Sequence, residues 1–387
     1  MTSTTILLVL AITSGLIWFG LITLRGQFWR SDQELPTLEI NLETWPSMAI
    51  VIPARNEATV ISESLGSLLQ QNYPGSLSII LVDDQSDDGT ATKAKETAIE
   101  LERSDQLQIL AGSPLPPGWS GKLWALSQGI DAAQTHNPDY ILLTDADIAH
   151  SPNNLRQLVC HAETNQLAMV SLMVKLRCKS FWEKLLIPAF IFFFEKLYPF
   201  RWVNNPKRKT AAAAGGCILI RQDALEAIGG ISCIREALID DCALATAIKS
   251  QGYPIWLGLS STTYSLRAYD TLETIWTMVA RTAYTQLHYS PWLLMGTVLA
   301  MTLVYLVPPV ALVIGFLIHS QQLMIIAGVT WMLMAIAYIP TLRRYGLPPA
   351  MAGVLPAVAL MYTAMTIDSA RRHWQGQGGA WKGRVYL

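Results

Sequence analysis

Three groups of aspartates carry the residue types and spacings that do chemistry: Asp83-Asp84, Asp145-Ala146-Asp147 and Asp240-Asp241. Asp145 and Asp147 are separated by one residue, so on an extended segment both carboxylates leave the same side and can reach one hard cation. Mg²⁺ or Mn²⁺ held this way keeps positions open for the oxygens of a diphosphate. Asp83-Asp84 follows the apolar run Ser78–Val82, where a carboxylate can accept from a nucleobase N–H or from ribose hydroxyls. Acids there also suit the N-terminus of a helix beginning near Thr90. A calcium loop starting at Asp84 would put Lys95 where a bidentate Glu belongs, so that reading fails. Asp240-Asp241 opens a stretch whose Ala243, Leu244, Ala247 and Ile248 fall on one helical face. A carboxylate at such a helix start either caps the helix or, facing a cleft, serves as a general base.

Two basic residues complement these acids. Lys122 follows Gly121 at a predicted helix start and is suited to a phosphate contact. The segment Pro116–Lys122 is no Walker loop, because Pro116 stands where Gly is needed and Leu123 where Ser or Thr is needed. No G-x-G-x-x-G occurs, so ATPase and dinucleotide-oxidoreductase readings lose their main support. Arg281 lies on a predicted amphipathic helix, Asp270 to Tyr289. There the stripe Leu272, Ile275, Trp276 and Val279 is expected to face lipid, with Arg281 on the opposite side, free to meet a phosphate.

The elements that must position these groups alternate. Strands are predicted at Met48–Ile52, Leu77–Val82, Leu107–Leu110 and Tyr140–Leu143, and helices at Glu57–Gln71, Thr90–Leu101 and Lys122–Gln134. That order argues for right-handed βαβ units and a parallel sheet, with ligands beyond the carboxyl ends of the strands. The acids sit at those ends. Five cysteines show no C-x-x-C pair and read as buried small residues in a reducing compartment.

The 387 residues are 51% hydrophobic and 15% charged, with a formal charge of −1; about 25% charged is usual for a soluble protein. Nothing basic is available for nucleic acid. The charge is missing in two places. Thr5 to Leu24 matches the roughly 20 apolar residues that cross a bilayer. It has no basic residue before it and no A-x-A site after it, so it reads as an uncleaved anchor. Arg25 and Arg30 then place the globular body in the cytoplasm, at the cell (inner) membrane. Downstream, Trp292–Ile318, Leu323–Ile339 and Pro348–Ile367 are apolar, interrupted only by Arg343 and Arg344. Three full crossings would put Arg371, Arg372, Lys382 and Arg384 outside, against the positive-inside rule, and a re-entrant segment among the three removes the conflict. The expected organisation is an anchor (1–30), a cytoplasmic body (45–290), a transmembrane region (291–367) and a basic tail (368–387). If Asp147 and Asp241 share a site, the apolar patch Leu185–Phe194 cannot cross; it is expected to lie in the membrane interface as an entrance for a lipid.

Pro53-Ala54-Arg55-Asn56-Glu57, Asp83-Asp84, Asp145-Ala146-Asp147, Gly215-Gly216-Cys217, Asp240-Asp241 and Arg281 occur in the order and rough spacing of family 2 glycosyltransferases. The body therefore resembles that family over about 45–290. The anchor, Pro116–Lys122 and the ending Trp381–Tyr386 resemble hopanoid-biosynthesis-associated membrane glycosyltransferases, and more distantly ceramide glucosyltransferases. The resemblance implies an α/β, Rossmann-like GT-A fold with one N-terminal and about three C-terminal transmembrane segments. It implies that Pro53, Ala54 and Glu57 line a uridine pocket, with Asp84 or Asp83 on the uracil, and that Asp145 and Asp147 meet ribose, diphosphate and a divalent cation. Asp241 takes the place of the general base, with Asp240, Gly215 and Gly216 on the acceptor side. The family's Q/R-x-x-R-W motif is reduced to Arg281 in Met278–Thr282, which speaks against processive polymer synthesis. The expected function is inverting transfer from a UDP-sugar to a membrane lipid. The alternatives are a polyprenyl phosphate acceptor, which needs no base, and a non-catalytic membrane scaffold. An ion-coupled transporter is disfavoured, since no acid lies between Pro291 and Ile367.

Overall fold

A computed structural model describes residues 3–37, 42–377, 380–381 and 384–385. The strands are β1 (Met48–Ala54), β2 (Leu77–Asp83), β3 (Leu107–Ala111), β4 (Tyr140–Leu143), β5 (Ile148–His150), β6 (Met169–Lys175), β7 (Ile218–Arg221) and β8 (Ile255–Ser265). They form one sheet in the order β3-β2-β1-β4-β7-β6-β8-β5. Every residue of β1 is buried, as expected for a strand covered on both faces. Ile50 and Ile52 pack on one side with Ile61 and Leu65 of the helix Ile61–Leu69. Val51 packs on the other with Leu126 and Ile130 of the helix Gly121–Gln134. Gly129 permits that approach, because a Cβ there would stand 2.4 Å from the Val51 side chain.

The expected parallel sheet is only half of what forms. β3, β2, β1 and β4 are parallel, but β7 runs antiparallel to both β4 and β6, and β5 antiparallel to β8. The sheet is mixed, since strand direction is set by the connection and not by the strand's own residues. The connection from β6 to β7 contains the helix Phe181–Leu197, which opens on a capping box between Ser180 and Glu183.

That helix holds the patch Leu185–Phe194, in which Leu185, Phe190, Phe193 and Phe194 are half-buried. Leu186, Ile187 and Phe192 are fully buried, and the Phe192 ring packs against Phe28 at 5.3 Å and Tyr338 at 5.2 Å. The patch is a layer between the sheet and the apolar helices. The amphipathic helix is also shorter than expected, Leu272–Thr282, and a turn with left-handed His288 and Tyr289 follows it. Its stripe faces protein and not lipid: Ile275 and Val279 join the cluster that contains Val358 and Tyr362, and Trp276 Nε1 donates to Asp368 at 2.9 Å.

Among the described residues, four helices are long and apolar enough to cross a membrane: Thr4–Leu24, Pro291–Leu317, Gln321–Arg344 and Pro349–Trp374. The first ends at the body, where Arg25 donates to the carbonyls of Lys196 and Leu197 at 3.1 Å. The third also ends there, Arg344 meeting Glu34 and the Ser260 carbonyl. The fourth touches the body again at its far end, where the Tyr284 amide donates to Ser369 Oγ at 3.0 Å. Between those two contacts Trp331, midway along the third helix, donates to the Gly353 carbonyl at 3.2 Å. Trp331 is about 20 Å of helix from Arg344. The chain therefore runs away from the body and returns to it, the path a re-entrant segment requires. Arg343, Arg344, Arg371 and Arg372 then share one side of the helical layer. Lys382 and the Arg384 side chain lie outside the described residues.

Candidate active site

Parallel strands β1, β2 and β4 end along one edge of the sheet, and Asp145 is the second residue beyond β4. The helix Gly121–Gln134 begins opposite, with Ser120 Oγ accepting from the Leu123 amide, and presents Lys122. Lys122 Nζ stands 2.9 Å from Asp145 Oδ1 and 3.1 Å from Asp240 Oδ2. One ammonium thus ties the strand-end carboxylate to the start of the helix Asp240–Ser250. Burial alone would lower the lysine's pKa, but Asp145 and Asp240 outweigh it and hold Lys122 protonated.

Asp241 sits beside this pair. Its Oδ2 accepts from the Gly215 amide at 2.9 Å and its Oδ1 from the Cys242 amide at 2.7 Å. Burial, and then the neighbouring Asp240 charge, push its carboxyl up to about 6. A Cβ at Gly215 would stand 3.1 Å from Lys122 Nζ and 3.6 Å from Asp241 Oδ2, so a side chain there would crowd the lysine. Burial likewise raises the Asp145 pKa, against the pull of Lys122.

Arg267 was not anticipated. It emerges just past β8 and bonds Asp147 Oδ2 through Nε at 2.5 Å and Glu57 Oε1 at 2.9 Å. The Leu266 amide also donates to the Asp147 carbonyl at 2.8 Å. The available signal was the β-forming run Ile255–Ser265 immediately before it, rich in Ser, Thr and aromatic residues. A buried polar chain was equally unforeseen. Thr144 Oγ1 donates to the Gly216 carbonyl at 2.8 Å and contacts His150 Nε2 at 3.0 Å, while His150 Nδ1 contacts Asn154 at 3.0 Å. Burial pushes the His150 imidazole down to about 3, so it stays neutral and pins the residue before Asp145 to the Gly215-Gly216 turn.

Pro53, Glu57, Lys122, Asp145, Asp147, Asp240 and Arg281 line a single cleft of about 640 Å³, together with Arg267 and Tyr269. Asp241 and Gly215 line a narrow extension of about 10 Å³ beside Lys122, room for about one water. The other expected site residues do not reach the cleft. Ala54 is fully buried, and Asp84 is 1% exposed with Arg55 Nη1 3.7 Å away. Asp83 Oδ1 accepts from the Ser86 amide at 3.1 Å, and Gly216 packs on Val174 and Ile148. Among the described residues no three His, Cys, Asp or Glu side chains are gathered to hold a metal. Asp145 and Asp147 still fit a Mg²⁺-type ion, which takes one or two carboxylates and completes its shell with diphosphate oxygens and water.

The model for "Glycosyl transferase family 2" matches residues 49–229. Residues 49–229 are thus similar to a family 2 glycosyltransferase domain. It is 27% identical over 256 residues to the probable glycosyltransferase YdaM of Bacillus subtilis (strain 168), covering 63% of this chain and 58% of that one. Over 124 residues it is 32% identical to an N-acetylglucosaminyltransferase of Rhizobium leguminosarum bv. viciae, covering 32% of this chain and 27% of that one. The chain thus spans 58% or less of the length of these curated relatives. The mixed α/β sheet is shared with GT-A glycosyltransferases: the mannosyltransferase PcManGT from Pyrobaculum calidifontis, in complex with GDP-Man and Mn²⁺, superposes with a TM-score of 0.52. It is 18% identical, with 95% of this chain and 99% of that chain covered, a likeness of fold. Asp240, Asp241, Arg267 and Arg281 lie beyond the segment matched to the family 2 domain, and the geometry alone joins them to its cleft.

Arg267→Ala would leave the Asp147 and Glu57 carboxylates, each 10% exposed, without their cation. The expected loss is about 1–3 kcal/mol of stability, the usual result of leaving a buried polar group unsatisfied, with a donor affinity about tenfold weaker. Thermal unfolding and calorimetric titration with nucleotide check both.

Proposed function

We propose that the protein is an inverting glycosyltransferase that moves a sugar from a UDP-sugar to a hydroxylated membrane lipid, a hopanoid or related isoprenoid or glycolipid. The reading is carried by one observation: Lys122 joins Asp145 to Asp240 in a cleft that also holds Asp147, Arg267 and Arg281, directly against the apolar helices. Asp241 takes the proton of the acceptor hydroxyl as that oxygen attacks the anomeric carbon from the side opposite the diphosphate. The bond from the anomeric carbon to the diphosphate breaks, and its electron pair leaves with UDP. Lys122, Arg267 and Arg281 offset the charge that builds there.

A divalent cation, Mg²⁺ or Mn²⁺, held by Asp145 and Asp147 would supply Lewis-acid neutralisation of the diphosphate. The Pyrobaculum fold neighbour, described with GDP-Man and Mn²⁺, supports a nucleotide-sugar donor and such an ion. The placement of Arg25, Arg343, Arg344, Arg371 and Arg372 on the body side of the helical layer supports a cytoplasmic body at the inner membrane.

The test incubates the purified protein with a panel of UDP-sugars and a membrane lipid extract. UDP release that EDTA abolishes, together with a lipid heavier by one sugar in the mass spectrum, is the expected result. Release of UDP from none of the donors, or a soluble or polymeric product, would overturn the reading.

A further inference from the structure

A second cavity of about 750 Å³ adjoins the donor cleft and shares Ser120, Leu238 and Arg281 with it. Its far walls come from three separate places: the loop around Trp119, the turn carrying Thr285 and Tyr289, and the end of the last long helix at Ser369 and His373. We propose that this cavity is the acceptor site and that it takes the uncharged, hydroxyl-bearing head of a membrane lipid. The proposal rests on the transferase reading above and moves the lipid entrance away from Leu185–Phe194, where Leu186, Ile187 and Phe192 are buried in protein.

Position gives the first argument. The cavity's inner wall at Ser120, Leu238 and Arg281 is common to the cleft that holds Lys122, Asp145 and Asp240, so a head seated in it points toward the site of transfer. Its outer wall joins the membrane helices. Tyr284 packs with Leu294 and Ala370 in one buried cluster, so the cavity floor is continuous with the helix that starts at Pro291. Trp292 and Trp374, 76% and 61% exposed, flank this region at helix ends on the body side. Aromatic residues at such ends mark the level of lipid headgroups. Leu293 and Leu299 are exposed on the same helix and offer a path for an apolar tail.

Chemistry gives the second. The wall offers neutral hydrogen-bonding groups: Thr285 Oγ1 bonds the Tyr289 hydroxyl at 3.1 Å, and the Tyr289 ring stacks on His373 with centroids 4.4 Å apart. A stacked imidazole and phenol suit a hydroxylated, apolar-bodied head. Glu236 offsets Arg281 in the wall, so a phosphate head finds no net positive charge there.

The full-length protein in phosphatidylcholine nanodiscs would be irradiated with a long-chain alcohol carrying a diazirine beside its hydroxyl. Labelled peptides should come from residues 115–120, 280–289 and 369–376. Thr285→Trp, which fills the cavity, should lower that labelling and raise the apparent KM for a lipid alcohol, each at least about tenfold, while UDP binding stays within about twofold. His373→Ala, at an exposed position that leaves the fold intact, should weaken labelling about threefold. Labelling confined to other segments, or unchanged by both substitutions, would overturn the site. Stronger competition by a polyprenyl phosphate than by the unlabelled alcohol would overturn the uncharged head. The labelling needs no turnover, so a protein that labels here but releases no UDP from any donor would refute the transferase reading and leave the lipid site standing.

Discussion

Asp241→Asn is expected to lower transfer by about 10²–10⁴, the usual contribution of a positioned general base, while donor binding stays within about twofold. Asp241 lines the narrow extension and not the wide cleft, so it touches little of the donor. Its two oxygens accept from the Gly215 and Cys242 amides. An Asn amide can satisfy only one of those donors, so a fall of about 1 kcal/mol in stability should accompany the change. The pH profile separates the base from a purely structural role. Burial and Asp240 hold the Asp241 carboxyl at about 6, and the protonated form cannot accept the hydroxyl proton. Wild-type transfer should therefore fall as pH drops through about 6, roughly tenfold per unit below it, and the residual activity of the Asn variant should lack that limb. Asp240→Asn is the control: it removes a contact of Lys122 in the wide cleft, so it should raise the apparent KM for donor more than it lowers turnover. Near-normal turnover in Asp241→Asn would remove the residue from the role and point to an acceptor that is already ionised.

The N-terminal half of the sheet was legible because each of its strands is a short apolar run between helical patterns. The acids proposed to do chemistry stand where those runs stop, and β1, β2 and β4 appear within a residue or two of their expected bounds. The C-terminal half was not legible. β7 is four residues long and antiparallel to both neighbours, and nothing in Ile218–Arg221 states its direction. Arg267 follows the same logic: the run Ile255–Ser265 signals a strand before it, but that the strand ends beside Asp147 is a tertiary fact. Asp84 stands at a strand end as the sequence places it, and there Arg55 folds beside it, the guanidinium donating to the Asp84 carbonyl at 2.6 Å. The apolar stripe of Leu272–Thr282, expected to face lipid, is covered by protein instead. Periodicity reports that a face is dry, and the contact between Trp276 and Asp368 is what shows protein and not lipid against it.

Lys122→Met tests the link that makes these residues one site. Lys122 is the cation between Asp145 and Asp240, and the Asp241 carboxylate is close enough to raise its pKa further. Removing it has two consequences. The leaving diphosphate loses a preorganised positive charge, a change that costs about 10²–10³ in turnover when a donor to a developing anion is deleted. The carboxylates also lose their common counterion, so ionising them becomes harder. The acidic limb of the pH profile should consequently move above about 6, toward neutrality, a shift that a merely solvated lysine would not produce. Lys122→Arg should rescue poorly in spite of keeping the charge. A planar guanidinium is wider than the ammonium and would have to fit between Asp145 and Asp240, beside the turn whose amide holds Asp241. A Met variant with unchanged turnover and an unmoved limb would show that the Asp145–Lys122–Asp240 bridge is a feature of the resting cleft alone, one that opens before the donor binds and takes no part in the transfer.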